Sequence, residues 1–204
     1  MPIVADTNNS ANSAVDVIDF VHLHNHTHYS LLDGLQKVPS TVERAKQLGM
    51  HSLAITDHGT LSGAIEFFKA CKSSGIKPII GMEAYVAARK HTDKNTAEDR
   101  NPYHLTLLAK NMDGYKNLMK LSTTAALEGF YYKPRIDHDL LKKHSKGLVV
   151  LSGCLGGELG TFISNDQYEQ ALETAKWYKQ TFGQDNYYLE LQPHIDWAPQ
   201  KKLN

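Results

Sequence analysis

Histidine occupies four alternate positions between His22 and His28, directly after a short apolar run. Alternate side chains of a β-strand point to the same face, so a strand here would bring these imidazoles together. Imidazole is the commonest protein ligand for zinc-like metals. Asp33 follows seven residues after His26, and the whole pattern predicts the first half of a metal site. A polar edge strand that carries a chance cluster of histidines is the alternative interpretation.

Short apolar runs alternate with helix-like segments, which predicts β/α units and a parallel sheet. The predicted strands are residues 19–24, 52–56, 77–83, 103–109, 147–152 and 187–192. A capping box at Ser40 and Glu43 predicts a helix that ends near Gly49. Further helices are predicted over residues 61–73, 113–127, 137–144 and 167–181. The polar segment 88–101 is predicted to be a loop on the rim of the sheet.

Residues with metal-ligand chemistry recur where the predicted strands end. Asp57 and His58 follow the second strand, Glu83 closes the third, and Cys154 follows the fifth. In β/α barrels the carboxyl ends of the strands face one mouth, where the active site lies, so these side chains are expected to meet. His104 stands at the start of the fourth strand instead, and its spacing alone predicts a capping or packing residue.

Length and composition limit the class of protein. A chain of 204 residues suits one domain, and its balance of 22 basic and 22 acidic residues excludes a protein that coats nucleic acid through bulk charge. Two cysteines make no disulfide framework and, with 11 histidines, indicate a cytoplasmic metalloprotein. Residues 1–18 are predicted to be a disordered tail that is not a signal peptide. No apolar run reaches the roughly 18–20 residues that cross a bilayer, so we expect a soluble protein without a membrane partner.

Several residues near the predicted site have two interpretations. Asp57 could orient His58 or a metal-bound water, or it could cap a helix. Cys154, taken alone, is interpreted as a small core thiol. Lys133 and Arg135 lie in an aromatic and basic strip, residues 130–135, that could stack a base and hold a phosphate, or form a solvated loop. The remaining histidines are interpreted as supporting, surface or packing groups: His22, His28, His51, His91, His138, His144 and His194.

Four long segments resemble the PHP (polymerase and histidinol phosphatase) domain at the N-terminus of bacterial DNA polymerase III alpha subunits. They are FVHLHNHTHYSLLDG, LAITDHGTLSGAIEFFKACKSSGIKPIIGMEAY, YHLTLLAKNMDGYKNLMKLS and GLVVLSGCLGGEL. The resemblance implies a PHP domain over residues 19–204 with a distorted TIM-like (β/α)7 barrel, of which about six of seven strands would be present. It also implies a set of metal ligands: His24, His26, Asp33, His58, Glu83, His104 and Cys154. For His104 and Cys154 the resemblance overrules the interpretation from spacing.

The family pattern has two further ligands on a seventh strand, and that motif is absent from this sequence. We therefore expect a fragment of a replicative polymerase, incomplete at its C-terminus. The intact domain would hold up to three divalent metal ions and this chain fewer, with zinc favoured and manganese or iron as alternatives. The implied reaction is metal-dependent phosphodiester hydrolysis through a metal-bound water, as a 3′–5′ exonuclease that proofreads DNA.

The resemblance also implies partners. These are DNA, the remaining polymerase domains, a separate proofreading subunit and the sliding clamp of the holoenzyme. Two other functions stay open from the sequence. One is a non-catalytic, metal-binding scaffold of the polymerase. The other is a free-standing phosphatase of the histidinol phosphatase type.

Overall fold

The computed structural model describes residues 20–95, 97–193 and 197–204. The strands in these ranges are β1 (Ser52–Ile55), β2 (Lys77–Val86), β3 (Tyr103–Ala109), β4 (Phe130–Tyr131), β5 (Lys133–Ile136), β6 (Leu148–Leu151) and β7 (Tyr187–Tyr188). The helices are α1 (Val38–Gln47), α2 (Ala64–Ser74), α3 (Ala97–Arg100), α4 (Met112–Leu127), α5 (His138–Lys143), α6 (Glu158–Ser164), α7 (Tyr168–Phe182) and α8 (Ala198–Leu203). The predicted tail 1–18 and His194 lie outside the described residues.

All of these strands belong to one mixed sheet that is centred on β2. The first half of β2 pairs in parallel with β1, and its second half pairs antiparallel with β3 and in parallel with β5. On the far side of β3, β6 pairs antiparallel with it and β7 pairs in parallel with β6. The predicted α/β class is therefore confirmed. The predicted all-parallel sheet is wrong, because β3 runs against both of its neighbours.

The two faces of the sheet have different chemistry because side chains alternate along each strand. Met82, Ala84 and Val86 of β2 belong to a core that also contains buried residues of α4, α5, α6 and α7. The alternate residues of β2, Glu83 and Tyr85, point to the opposite face. β3 repeats this pattern, with Leu105 and Leu107 in the helical core. Helices thus cover one face, and polar groups of β2 and β3 gather on the other.

Three parts of the predicted strand pattern differ from the structure. Residues 20–24 form no regular strand, although the carbonyls of His22 and the following Asn25 accept hydrogen bonds from Ala54 N in β1 and from Thr56 N directly after β1. The strand predicted over 187–192 is limited to the two residues of β7. The aromatic and basic strip forms β4 and β5 rather than a loop, with a turn at Tyr132. These two strands are too short for the alternation of apolar residues to predict them. Their conformation depends on the pairing of β4 with β5 and of β5 with β2.

The helices agree with the sequence more closely, with two differences at their starts. α1 begins at Val38, so Ser40 lies inside the first turn and its hydroxyl donates to the carbonyl of Lys37 instead of capping the helix. α2 begins at Ala64, three residues after the predicted start, and ends at the left-handed Gly75. Three helices were not predicted: the single turn α3 within the polar segment 88–101, and the short helices α6 and α8. Among the described residues, no helix is both long enough and apolar enough to cross a membrane.

Candidate metal centre

A buried carboxylate lies at the centre of four imidazoles. Glu83 is 1% exposed and points from the face of β2 that lies opposite the helical core. Its Oε1 atom lies 3.3 Å from Nε2 of His24 and 3.0 Å from Nδ1 of His104. Its Oε2 atom lies 3.1 Å from Nε2 of His26 and 2.7 Å from Nδ1 of His58. Residues from the 20–26 segment, from the end of β1, from β2 and from β3 therefore meet at one point.

These side chains form two overlapping groups that have the composition of metal sites. His24, His26 and Glu83 offer ligand atoms within 4.8 Å of one another, and so do His58, Glu83 and His104. Nδ1 of His58 and Oε2 of Glu83 are buried and lie 2.7 Å apart, but neither makes a hydrogen bond of normal geometry. Buried polar atoms are rarely left without a partner. The donor set and these two atoms fit divalent cations, with Glu83 shared between the two groups.

The other two predicted ligands lie beside these groups. Asp33 Oδ2 is 2.7 Å from Nε2 of His58, and its side chain is 56% exposed. The thiol of Cys154 lies 3.7 Å from Nδ1 of His104 and 4.0 Å from Oε1 of Glu83. Every one of the seven side chains predicted as ligands therefore contacts another member of the set. Their binding of metal stays a prediction.

His104 illustrates why spacing alone was misleading. In an all-parallel sheet the first residue of a strand lies at the rim opposite the strand ends, which is why the sequence predicted a capping or packing role. β3 runs antiparallel to β2, so His104 lies opposite Tyr85, next to the end of β2. The direction of one strand thus moves His104 to the same rim as His58 and Cys154.

Proximity to Glu83 changes the proton affinity of the imidazoles. Burial opposes protonation of His24, but its hydrogen bonds to Glu190 and Glu83 prevail and raise its pKa to about 10. Burial likewise opposes protonation of His104, yet its contacts with Cys154 and Glu83 raise its pKa to about 9. The pKa of His58 is raised against the effect of burial, chiefly by Glu83. Burial alone would raise the pKa of Glu83, but the surrounding imidazoles lower it far below its ordinary value. Without metal, the Glu83 carboxylate therefore raises the proton affinity of three neighbouring imidazoles, those of His24, His58 and His104.

Of the two predicted roles of Asp57, the helix cap is wrong, and the role of orienting His58 stays a prediction. Its buried carboxylate accepts hydrogen bonds from Thr27 N at 2.6 Å, Thr27 Oγ1 at 2.8 Å and Ser30 Oγ at 2.8 Å. The hydroxyl of Ser30 also lies 3.1 Å from His26 Nδ1 and accepts from His58 N at 3.1 Å. Asp57 caps no helix, because α2 begins seven residues later. It fixes the turn after His26 and acts on the candidate ligands through Ser30.

Several further residues of this centre lie outside the predicted ligand set. Glu190, two residues after β7, lies 2.7 Å from Nδ1 of His24. Thr106 Oγ1 lies 3.3 Å from the same nitrogen. An acidic residue within the last predicted strand, residues 187–192, is a signal for Glu190. The hydroxyls of Thr106, Thr27 and Ser30 carry no signal in the sequence, because such residues are common at polar strand positions and turns.

The two basic residues predicted to hold a phosphate have different environments. Arg135 is fully buried, and its guanidinium donates to the backbone carbonyls of Gly129, Asp99, His91 and Asp93. All three of its guanidinium nitrogens donate to backbone carbonyls, so the prediction that Arg135 contacts a substrate phosphate is wrong.

Lys133 is exposed, and its ammonium lies 5.3 Å from the centre of the Tyr85 ring. That ring in turn stacks on His58 with 5.7 Å between the ring centres. The Tyr85 ring therefore lies between the Lys133 ammonium and the candidate ligand His58.

Within the part of the chain that the structure describes, the other histidines belong to neither metal-type group. His22 and His28 are exposed, and their contacts are with Phe20 and with Gln36 and Tyr29, respectively. Alternation along the chain therefore does not bring all four early imidazoles together, because the segment bends into a turn after His26.

The sequence matches the family model of the PHP domain over residues 22–194. It is 51% identical over 176 residues to the DNA polymerase III subunit alpha of Borreliella burgdorferi, a match that covers 86% of this chain and 15% of that protein. It is 48% identical over 178 residues to the same subunit of Treponema pallidum, covering 87% of this chain and 15% of that protein. The chain thus spans about 15% of the length of these curated relatives.

Among solved structures, a proposed metal-dependent phosphoesterase from Bifidobacterium adolescentis is similar at 25% identity. The match covers 52% of this chain and 33% of that protein, with a TM-score of 0.37. A superposition of this quality does not establish a shared overall architecture.

Proposed function

This chain belongs to the PHP domain family, and from that premise we propose that its Glu83-centred site binds divalent metal ions and hydrolyses phosphodiester bonds. The observation that carries the proposal is the position of Glu83, a buried carboxylate within 3.3 Å of four imidazoles. A buried cluster of this kind is costly to maintain unless its groups are paired or bind a cation.

The residues proposed to hold metal fall into two groups around the shared carboxylate. His24 and His26 would serve one ion, and His58 and His104 the other, with Glu83 common to both. Asp33 and Cys154 lie at hydrogen-bond or near-contact distance and would complete the coordination. Imidazole, carboxylate and one thiolate favour zinc, with manganese or iron at the oxygen-rich side near Asp33. Two such ions supply Lewis-acid activation of water and neutralise charge on a phosphate.

The chain's own residues would orient these ligands and the substrate. Asp57 holds the turn after His26 through Thr27 and Ser30, which keeps the imidazoles of His26 and His58 in place. Exposed Lys133, next to Tyr85, would contact a substrate phosphate outside the metal groups. Such positioning contributes to hydrolysis because it fixes the reacting groups before reaction.

We further propose the TIM-like barrel that the resemblance implies. The 20–26 segment lies along β1, and β7 lies beyond β6, so the two flank the sheet on opposite sides. The 20–26 segment and the residues after β7 nevertheless approach each other. His24 and Glu190 lie 2.7 Å apart, and both regions line a cleft of about 470 Å³. A curved sheet whose two sides approach each other supports a distorted barrel with the helices outside.

The relatives suggest the parent protein and its setting. We propose that this domain belongs to the alpha subunit of a bacterial replicative DNA polymerase in the cytoplasm. The hydrolytic reaction would then be 3′–5′ exonuclease proofreading of DNA, and the other polymerase domains and the holoenzyme would be its partners. Identities of 51% and 48% to two such subunits support this parentage.

The test compares two matched double substitutions in this chain. His24→Ala with His26→Ala removes two candidate ligands, whereas His22→Ala with His28→Ala removes the two exposed histidines that flank them. Bound metal is measured by elemental analysis, and hydrolysis with a single-stranded oligonucleotide and zinc or manganese.

We expect the first pair to lose metal and metal-dependent hydrolysis and the second pair to retain both. Equal metal content in the two variants would refute the proposed site. Metal binding without hydrolysis, both in the unsubstituted chain and in the full-length polymerase subunit proposed as its parent, would refute the hydrolytic function and favour the scaffold role.

A further inference from the structure

Glu190 is a carboxylate that neither the sequence motifs nor the two metal-type groups include. It follows β7, and its backbone N–H donates to Ser152 Oγ at 2.9 Å, which ties it to the end of β6. Its side chain is 11% exposed. Oε1 lies 2.7 Å from Nδ1 of His24 and accepts from Gln192 Nε2 at 2.9 Å. Both the backbone and the side chain of Glu190 are thus held in place.

The two nitrogens of His24 face different partners. Nδ1 points to Glu190, with Thr106 Oγ1 at 3.3 Å, while Nε2 points to Glu83 and to the space shared with His26. A carboxylate only accepts hydrogen bonds, so Nδ1 must carry the proton in this contact. The lone pair of a neutral His24 is then on Nε2, the nitrogen that faces the proposed metal group.

We propose that Glu190 is a positioning residue that holds His24 in the Nδ1–H form and presents its Nε2 atom to the metal. This inference rests on the proposed function. Metal-binding histidines commonly donate their second ring N–H to a carboxylate, which fixes the ring and makes it a stronger ligand. Glu190 meets that description by distance and burial, since it contacts His24 without belonging to either group of ligands.

The other imidazoles of the centre have different supports. Nδ1 of His26 lies 3.1 Å from the neutral hydroxyl of Ser30. His58 lies between two carboxylates that are themselves candidate ligands, Asp33 and Glu83. His24 is the candidate ligand for which a carboxylate outside the metal groups supplies the partner. Loss of that carboxylate should therefore weaken metal binding without removing a ligand.

The test uses Glu190→Ala and Glu190→Gln in the full chain, with Glu66→Gln as the matched control. Glu66 also accepts a hydrogen bond from the neighbourhood of the centre, from Tyr29 at 2.8 Å, but it contacts none of the candidate ligands. Zinc affinity is measured by competition with a chromophoric chelator. The ring nitrogens of the zinc-loaded chain are assigned by ¹⁵N NMR, and urea unfolding of the metal-free chain reports folding.

We expect Glu190→Ala to weaken zinc binding by about 10–100-fold, and the Nδ1–H signal of His24 to exchange faster with solvent. Glu190→Gln keeps an acceptor oxygen but loses the charge, so it should retain the Nδ1–H signal with a smaller loss of affinity. Glu66→Gln should leave both unchanged. If Glu190→Ala does not fold, the near-isosteric Gln variant decides the question.

Three results would overturn the proposal. Unchanged zinc affinity in both Glu190 variants would show that the carboxylate only ties the two chain segments together. An equal loss of affinity in Glu66→Gln would show a general effect of disturbing the fold. An unsubstituted chain that binds no metal would overturn the proposed function and this role with it, whereas the first two results leave metal binding standing.

Discussion

Nδ1 of His104 lies 3.0 Å from Oε1 of Glu83, although the two residues come from adjacent strands that run in opposite directions. The antiparallel pairing of β2 and β3 places the start of one strand beside the end of the other. Ligand candidates can therefore come from both termini of strands and still meet at one rim.

The shared carboxylate leads to a prediction about metal stoichiometry. His104→Ala should remove one ion, because it takes a ligand from one group only, whereas Glu83→Gln should reduce binding in both groups. Elemental analysis of the dialysed variants measures the number of ions per chain. Equal losses in the two variants would contradict a carboxylate that serves two groups.

The raised pKa values of the histidines predict how the stability of the metal-free chain depends on pH. His24 and His104 have folded pKa values of about 10 and about 9, above the 6.5 of the unfolded chain. Groups with a raised pKa stabilise the fold fully below about 6.5, and this contribution is lost as the pH rises through 9 to 10. The lowered pKa of Glu83 stabilises the fold above about 4.5, and that contribution declines as the pH falls.

The free energy of unfolding should thus be highest between about pH 4.5 and 6.5 and fall on both sides. Urea unfolding in the presence of a chelator measures it. For the matched variant Glu83→Gln, we expect the loss between pH 7 and 10 to be much smaller, since the partner of the imidazoles is uncharged. A profile that is flat from pH 6 to 10 in the unsubstituted chain would contradict the histidine contribution.

Metal binding should show the opposite dependence on pH. A metal ion competes with protons for the imidazole nitrogens, so zinc affinity should rise with pH and binding should release protons. Calorimetry in two buffers of different ionisation enthalpy measures the number of protons released at pH 7. We expect more than one, from His24 and His104 together, and fewer in His104→Ala. No proton release would mean that these imidazoles are not the ligands.

Ser30 should be important for the turn after His26. Its hydroxyl donates to Asp57 and contacts His26 Nδ1 and the backbone N–H of His58. Ser30→Ala leaves buried groups without partners, which typically costs about 1–3 kcal/mol of stability. Ser62→Ala is the control, since Ser62 is exposed and contacts Thr60 at the surface. Urea unfolding compares the two, and equal small losses would argue against the proposed network.

Substitutions of Arg135 and Lys133 should affect different properties, although the two residues are close in sequence. Arg135→Met removes a buried guanidinium that binds four backbone carbonyls, so we expect a loss of about 3 kcal/mol or more in the free energy of unfolding. Lys133→Ala should leave stability within about 0.5 kcal/mol and raise the KM for an oligonucleotide. Unfolding curves and hydrolysis kinetics separate the two. A stability loss in Lys133→Ala would contradict a surface role.

The sequence predicted the parts of the structure that depend on local patterns. The helices α1, α2, α4, α5 and α7 and the strands β1, β2, β3 and β6 follow local sequence patterns, and β3 has the predicted bounds at Tyr103 and Ala109. Glu83 was predicted to close its strand, but β2 continues to Val86, and Glu83 reaches the centre because alternation along the strand points it away from the helical core. These features are encoded by neighbouring residues, so one sequence suffices to find them.

Features that depend on distant pairing could not be predicted in this way. The direction of β3 is decided by its neighbours in the sheet, and this direction changes the interpretation of His104. Arg135 is charged, and only the fold reveals that backbone carbonyls of a distant loop bury it. The contact of Glu190 with His24 joins residues that are 166 positions apart, and no spacing rule connects them.

The alternation of β3 between the helical core and the candidate centre has a consequence for how this segment can vary. Deleting a single residue after His104 would shift every following side chain to the other face of the strand. Leu105 and Leu107 would then exchange environments with Thr106, so apolar side chains would enter the centre and a hydroxyl would enter the core. Insertions and deletions in this strand should therefore be tolerated only in pairs, and a library of length variants would find functional chains at even changes of length.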